Sequence, residues 1–250
     1  MHKAIGLIPT RLNSRRLPRK SLKMIGGLPV IIHTYRRALI SKKLKKVYIC
    51  CDSQEVMQIA KKYNAKSVLT SKKHKCGTDR IHEAFQKVGK GFDQIINIQG
   101  DEPLIDPKNI DRVVNFHRKN KNYDIILPNL ITKFTKDPHV VRLIFNKYKE
   151  VIYITRSSTP FQFINKTKKI YKHLSIVSFK PNALKSFANS SQSKLELIED
   201  IELLRAIDLN LKIKTFKSKG DSFSIDVPKN LVEARKKILK DKFYKYYEKL

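Results

Sequence analysis

The stretch QIINIQGDEP, residues 94–103, decides the fold. Gln94–Gln99 is a short run with three isoleucines, with the length and β-branched content of a buried strand. Gly100 breaks it, and Asp101-Glu102 stands at its carboxyl end before Pro103. Pro107 then leads a helix that runs through His117. Upstream, Ala4–Pro9 (AIGLIP) and Lys46–Cys51 (KVYICC) read as two more buried strands, and Ser67–Leu69 as a short one. Between them lie amphipathic stretches. One begins after Pro29 with Val30, Ile31, Thr34, Ala38 and Leu39 on one side. A second is capped by Ser53 and carries Val56, Ile59 and Ala60. A third opens at Gly77-Thr78-Asp79.

Strands alternating with helices imply an α/β, Rossmann-like fold, with a mostly parallel central sheet covered by helices on both faces. Such sheets bind ligands beyond the carboxyl ends of their strands. The loops Thr10–Lys20, Gly77–Arg80 and Gly100–Glu102 therefore gather on one edge. The second half is less regular. Val140–Phe145 and Glu150–Thr155 form a strand pair around Asn146-Lys147, and Ile176–Phe179 and Lys212–Phe216 are further strands. Glu199–Leu209 reads as a helix, and Ser224-Ile-Asp226 as the end of a short strand before Pro228 starts the last helix. No repeat or linker divides the chain, so residues 1–250 are expected to form a single domain.

The 250 residues are 41% hydrophobic, enough for a sizeable core. No apolar run approaches the roughly 18 residues that span a bilayer. The opening Met1–Pro9 lacks the features of a signal peptide, which places the expected location in the cytoplasm without membrane insertion. Cys50, Cys51 and Cys76 show no zinc spacing, and neither do the histidines. Against 22 acidic residues stand 53 basic ones, a net charge of +31. Such a charge suits a polyanionic partner. The lysines are nevertheless spread along the whole chain, as a solvated surface would be, and no nucleic-acid-binding motif accompanies them.

Four constellations carry candidate chemistry. Arg11, Arg15, Arg16, Arg19 and Lys20 follow the first strand. Guanidinium forks and an ammonium there suit a triphosphate, or they form a solvated basic loop. Asp101-Glu102 offers carboxylates to a magnesium ion, or simply caps a turn. Asp226 is a second ligand or a helix cap. Gly77-Thr-Asp-Arg80 opens a helix whose N–H groups can meet a base or phosphate.

In this order the segments resemble the CMP-Kdo synthetase family, the 3-deoxy-manno-octulosonate cytidylyltransferases. The resemblance starts at Ile8-Pro-Thr-Arg11 and Ser14-Arg-Arg-Leu-Pro-Arg-Lys20. It continues through Gly27-Leu-Pro-Val30 and Cys76-Gly-Thr-Asp-Arg80 to Asn97-Ile-Gln-Gly-Asp-Glu-Pro103. It ends with Tyr153-Ile-Thr-Arg156, Tyr171-Lys-His-Leu174, Leu195 to Arg205 and Ile225-Asp-Val-Pro228. It implies a nucleotide-diphospho-sugar transferase fold, with roughly residues 130–210 supplying the sugar pocket and a homodimer contact. It implies Arg11, Arg16 and Lys20 on the CTP phosphates, and Gly77, Thr78, Arg80 and Gln99 along the nucleotide. Asp101 and Asp226 would hold Mg2+, and Arg156, His173 and Glu202 would meet the acidic sugar. The catalytic set would be Arg16, Lys20, Asp101 and Asp226. The activity implied is direct transfer of CMP from CTP to the anomeric hydroxyl of Kdo or a close acidic sugar, releasing pyrophosphate for surface-glycan synthesis.

The chain departs from the family pattern at Thr10, Arg19 and Cys76 near the nucleotide. In the sugar pocket, Val177 replaces a tyrosine and Leu203 a glutamine. Both changes remove hydrogen-bonding groups, which can redirect specificity towards 8-amino-Kdo or a nonulosonate. UTP or dTTP enzymes share the fold. From another class comes the alternative of a catalytically inactive nucleic-acid-binding protein, which the charge motivates.

Overall fold

The computed structural model describes residues 2–14 and 16–248; Arg15 lies outside them. The strands are β1 (Ala4–Pro9), β2 (Met24–Ile25), β3 (Leu28–Pro29), β4 (Leu44–Cys51), β5 (Ser67–Leu69), β6 (Gln94–Ile98) and β7 (Ile125–Ile126), then β8 (Asn129–Lys133), β9 (Arg142–Phe145), β10 (Val151–Thr155), β11 (Lys169–His173), β12 (Ile176–Phe179) and β13 (Ile213–Lys214). The helices are α1 (Val30–Ile40), α2 (Gln54–Lys62), α3 (Gly77–Val88), α4 (Pro107–Lys119) and α5 (Pro181–Ala188), followed by α6 (Lys194–Glu199), α7 (Leu204–Asp208), α8 (Pro228–Leu239) and α9 (Lys242–Tyr247).

The main sheet has the order β13-β7-β12-β6-β1-β4-β5. β1 pairs in parallel with β4 and β6, β4 with β5, and β13 with β7; β12 runs antiparallel to both its neighbours. Alternate residues of each strand enter different cores. Ala4, Ile8, Ile96 and Ile98 pack with α1, α2 and α4 on one face. Ile5, Leu7 and Ile95 pack with α3, α5 and α7 on the other. That double coverage is why β1 reads as a continuous apolar run and why β6 is buried on both faces. A third cluster of Leu17, Ile25, Val30, Ile225, Leu231 and Ala234 binds the loop after β1 to α8.

A second, antiparallel sheet, β10-β9-β11-β8, spans much of the irregular half. β8, β11 and α5 are additions to the elements expected from sequence. The Lys212–Phe216 strand shortens to β13. Two expected elements are corrected. The Glu199–Leu209 helix is broken: Asp200 adopts φ 52°, the left-handed end of α6, and the chain restarts at Leu204. Ser224–Asp226 is not a strand end, since no ladder partner accompanies it; Ile225 is instead buried in the third cluster.

The carboxyl-terminal helix closes the α1 face. Tyr247 is fully buried, and its hydroxyl meets His33 Nδ1 at 2.9 Å, while His33 Nε2 meets the Ile25 carbonyl at 2.7 Å. Arg37 reaches the Ile105 carbonyl at 2.9 Å and pairs with Asp241. Burial lowers the His33 pKa to about 4. His33 is therefore neutral in the fold while the unfolded chain protonates it below pH 6.5, so stability falls as pH drops from about 6.5 to 4. The shift corresponds to about 3 kcal/mol. Chemical denaturation across this window is expected to show a shallower loss for His33→Gln than for the wild type.

Candidate active site

Three loops meet at the carboxyl edge of β1, β4 and β6. The loop after β1 is tied down at its start, where Thr10 donates to the Cys50 carbonyl at 2.9 Å and Leu12 to Asp52 at 3.0 Å. Leu17, buried between Ile25 and Ile225, anchors it further on. Arg16 and Lys20 are thereby held over the segment before α8. Gly100 has no room for a side chain, because a Cβ would lie 2.7 Å from the Pro9 carbonyl oxygen.

The acidic pair after β6 divides. Glu102 is 1% exposed and turns inward. It accepts from Ser175 Oγ and Ser222 Oγ, both at 2.7 Å, and from the Phe223 N–H at 3.0 Å. Burial pushes its carboxyl pKa up, against the pull of the two serine hydroxyls. This corrects the reading of Asp101-Glu102 as a joint metal ligand. Asp101 faces outward, and its carbonyl accepts from Ile225 N–H at 2.9 Å, which fixes Asp226 beside it. Lys20 Nζ bridges the two carboxylates, 2.6 Å from Asp101 and 3.2 Å from Asp226. Arg16 donates to Asp226 at 2.9 Å, and Ser224 Oγ does so at 3.0 Å. Burial alone would raise the Asp226 pKa, but the charges of Lys20 and Arg16 outweigh it and hold the carboxyl below its usual range.

Arg11 is exposed and makes no side-chain hydrogen bond among the described residues. Arg19 pairs with Glu55 rather than joining the cluster, and its φ of 55° lies in the left-handed region that glycine adopts without strain. At the start of α3, Gly77 sits against Pro9, and the Thr78 N–H donates to Glu202 at 3.0 Å. The Thr78 hydroxyl is buried and unpartnered. Cys76 accepts from Asp79 N–H as the helix cap. Burial and the nearby Glu202 and Asp79 carboxylates push its thiol far up, so it stays protonated. Arg80 is a buried brace: it reaches Thr70 at 2.7 Å and Asp52 at 3.4 Å, joining β4, β5 and α3 behind the loop. Gln99 is half-buried with no side-chain hydrogen bond among the described residues.

Arg156 donates to the carbonyls of Glu199 at 2.7 Å, Pro138 at 3.1 Å and Asp200 at 3.1 Å. Among the described residues its guanidinium makes no ion pair, while its backbone N–H donates to the Glu199 carboxylate at 2.8 Å. Burial first, then the charges of Lys172 and Arg156, lower the His173 pKa to about 4, which makes the ring neutral. Arg156 is joined to the acidic cluster through Pro138-His139, because Arg16 also contacts His139 at 3.5 Å. His139 and Ser224 are the site residues the sequence reading missed. Neither lies in a pattern; Ser224 is flagged only by its place two residues before Asp226.

The edge thus presents two converging carboxylates on a shared ammonium and three further cations, whereas the Thr78 and Asp79 N–H groups at the start of α3, expected to meet a base or phosphate, are taken by Glu202 and Cys76. Among the described residues no group of three or more His, Cys, Asp or Glu is arranged for a metal. Two carboxylates are what a magnesium ion needs when substrate phosphates and water complete its shell. Fold and site together define a nucleotidyltransferase. A family model described as cytidylyltransferase matches residues 5–247. The 3-deoxy-manno-octulosonate cytidylyltransferase of Thermodesulfovibrio yellowstonii is 36% identical over 249 residues, covering 93% of this chain and 96% of that one. An 8-amino-3,8-dideoxy-manno-octulosonate cytidylyltransferase of Shewanella oneidensis is 33% identical over 244 residues, covering 94% and 98%. A solved CMP:2-keto-3-deoxy-manno-octonic acid synthetase complexed with CTP matches with a TM-score of 0.89 at 29% identity, over 95% of this chain and 99% of that one. The chain belongs to the cytidylyltransferase family.

Removing the shared ammonium tests the electrostatics directly. Lys20→Met is expected to raise the Asp226 pKa by about one unit or more, since an opposite charge at hydrogen-bond distance is lost. Carbon-detected NMR titration of the carboxyls reads this without reference to activity.

Proposed function

We propose that this cytidylyltransferase transfers CMP from CTP to an acidic eight-carbon sugar of the Kdo type, with Mg2+ as cofactor. The observation that carries the reading is the Asp101–Lys20–Asp226 bridge at the carboxyl edge, with Arg156 linked to it through Pro138-His139. Asp101 and Asp226 would hold the metal. When bound, it would supply positive charge at the α-phosphate and acidify the attacking hydroxyl.

The chain's own residues position and neutralise. Arg11, Arg16 and Lys20 bind the triphosphate, and Arg16 and Lys20 offset charge on the leaving pyrophosphate. Gly77, Thr78 and Gln99 line the nucleotide, with Arg80 bracing the loop beneath. Arg156 takes the sugar carboxylate beside neutral His173, and Glu202 holds the start of α3 while facing the sugar. The anomeric oxygen forms its bond to the α-phosphorus as the bond to the bridging oxygen breaks, and the hydroxyl proton passes to solvent. In-line positioning supplies much of the rate.

The departures at Val177 and Leu203 favour a second reading, in which the sugar is 8-amino-Kdo; relatives carrying that name match this chain nearly as well. Both side chains are buried in the same apolar cluster. Residues 130–210 carry exposed apolar side chains, among them Ile152, Phe161, Phe163 and Ile198. Such a surface supports a homodimer. The expected setting is cytoplasmic surface-glycan synthesis.

Pyrophosphate release from CTP and Mg2+ is measured across Kdo, 8-amino-Kdo and nonulosonic acids. Release dependent on one acid sugar is the expected result, and none from folded, CTP-binding protein would overturn the sugar class. Asp101→Asn and Asp226→Asn are each expected to lower kcat at least about 100-fold with the fold intact; near-wild-type rates would remove the metal assignment. Val177→Tyr with Leu203→Gln is expected to raise kcat/KM for Kdo, and no gain in folded protein would dismiss these positions as specificity switches.

A further inference from the structure

Asn97 sits near the carboxyl end of β6, 1% exposed, with both amide atoms buried and unpartnered. Its place follows from strand alternation. Ile96 and Ile98 face the α1 and α4 core, so Ile95, Asn97 and Gln99 share the other face. In register, Leu7 of β1 lies on one side of Asn97 and Val177 of β12 on the other. Two residues further on, Gln99 stands half-buried beside the loop that carries Asp101. Asn97 is therefore the floor beneath Gln99 at the carboxyl edge.

The same face is covered by the first turn of α3 and by the segment before α7. The first supplies the unpartnered Thr78 hydroxyl. The second supplies Glu202, bonded to Thr78 N–H, and Leu203, which packs in the cluster with Val177. Buried polar atoms without partners are rare and unfavourable, and an apolar residue of the same shape would serve a core better. Two such side chains on one face, beside two apolar residues, leave buried polar groups that a ligand would satisfy.

We propose that Asn97 is a sugar-recognition residue, its amide hydrogen-bonding a hydroxyl or amino substituent of the acid sugar opposite the apolar flank of Val177 and Leu203. This rests on the acid-sugar reading above. The amide has a donor and an acceptor open, so it serves either substituent, and the Kdo and 8-amino-Kdo arms of the assay tell them apart.

The test compares wild type with Asn97→Leu in steady-state pyrophosphate release and in thermal unfolding without ligand. The sugar KM is expected to rise at least tenfold while the CTP KM stays within twofold. The unfolding midpoint is expected to hold or rise, because two unpaired polar atoms leave the core. A sugar KM within twofold of wild type overturns the assignment. So does a rise in KM accompanied by a lower midpoint, which makes the amide a structural tie, and so does an equal rise in the CTP KM. Should Asn97→Leu not fold, Asn97→Thr and Asn97→Val form a near-isosteric pair differing by one hydroxyl, and the Thr variant is expected to keep the lower sugar KM. Wild type without turnover on any acid sugar overturns the acid-sugar reading and this assignment with it, whereas turnover with an unaffected variant overturns this assignment alone.

Discussion

The buried carboxylate of Glu102 holds the site together. It takes hydrogen bonds from Ser175 at the entry to β12 and from Ser222 and Phe223 ahead of α8. Those partners are more than seventy residues away in sequence; the β12 ladder also brings Ser175 to the end of β6, whereas Ser222 and Phe223 belong to no strand. Once they are joined, Ile225 N–H meets the Asp101 carbonyl, and Asp226 is delivered beside Asp101 within reach of one ammonium. A carboxylate out of water is costly unless its lone pairs are met; with three donors on it, the cost is offset and the geometry is specified. The residue next to Asp101 thus shapes the site without facing it.

Scarcity of acid gives the rest of the molecule its order. With 53 basic residues against 22 acidic ones, a carboxylate is placed where an arginine must be held. Arg205 is almost fully buried between Glu196 at 2.6 Å and Asp79 at 2.9 Å, and it stacks over Phe187. The pairs Arg37–Asp241 and Arg80–Asp52 do the same at the carboxyl-terminal helix and beneath the site. Breaking such a buried pair strands a charge, at about 3–5 kcal/mol, whereas an exposed pair such as Arg19–Glu55 contributes about 1 kcal/mol or less. The many unpaired lysines are solvated and leave the fold to the arginines.

The parallel half of the fold was legible because burial on both sheet faces leaves continuous apolar runs. Ala4–Pro9 and Ser67–Leu69 match residue for residue, and Ser53 caps α2 through the Val56 N–H. In the second sheet the β9–β10 pair around Asn146-Lys147 was legible too, while β8 and β11 were not. β8 and β11 pair across Ile131 and Tyr171, both exposed, and they alternate with lysines in a pattern close to that of a loop. The broken helix after Glu199 was hidden because the turn there uses Asp200 in a left-handed conformation rather than glycine. At the site, Arg16, Lys20, Asp101 and Asp226, which the structure brings together, were legible from charge and place in the chain. The ones that position them were not, since Glu102, His139 and Arg80 act through contacts set by tertiary structure.

The layering of the site separates what must stay constant from what can vary. Its outer rim is charged, with Arg11, Arg16, Lys20, Asp101 and Asp226. Its floor is neutral and lies on strands, where Leu7, Asn97 and Val177 stand side by side in register. A substitution at the rim disturbs a network in which Lys20 serves two carboxylates, so its effects spread. A substitution on the floor changes one row of side chains on a rigid sheet and leaves the rim intact. Side chains on the floor can therefore be exchanged without disturbing the charged network above them.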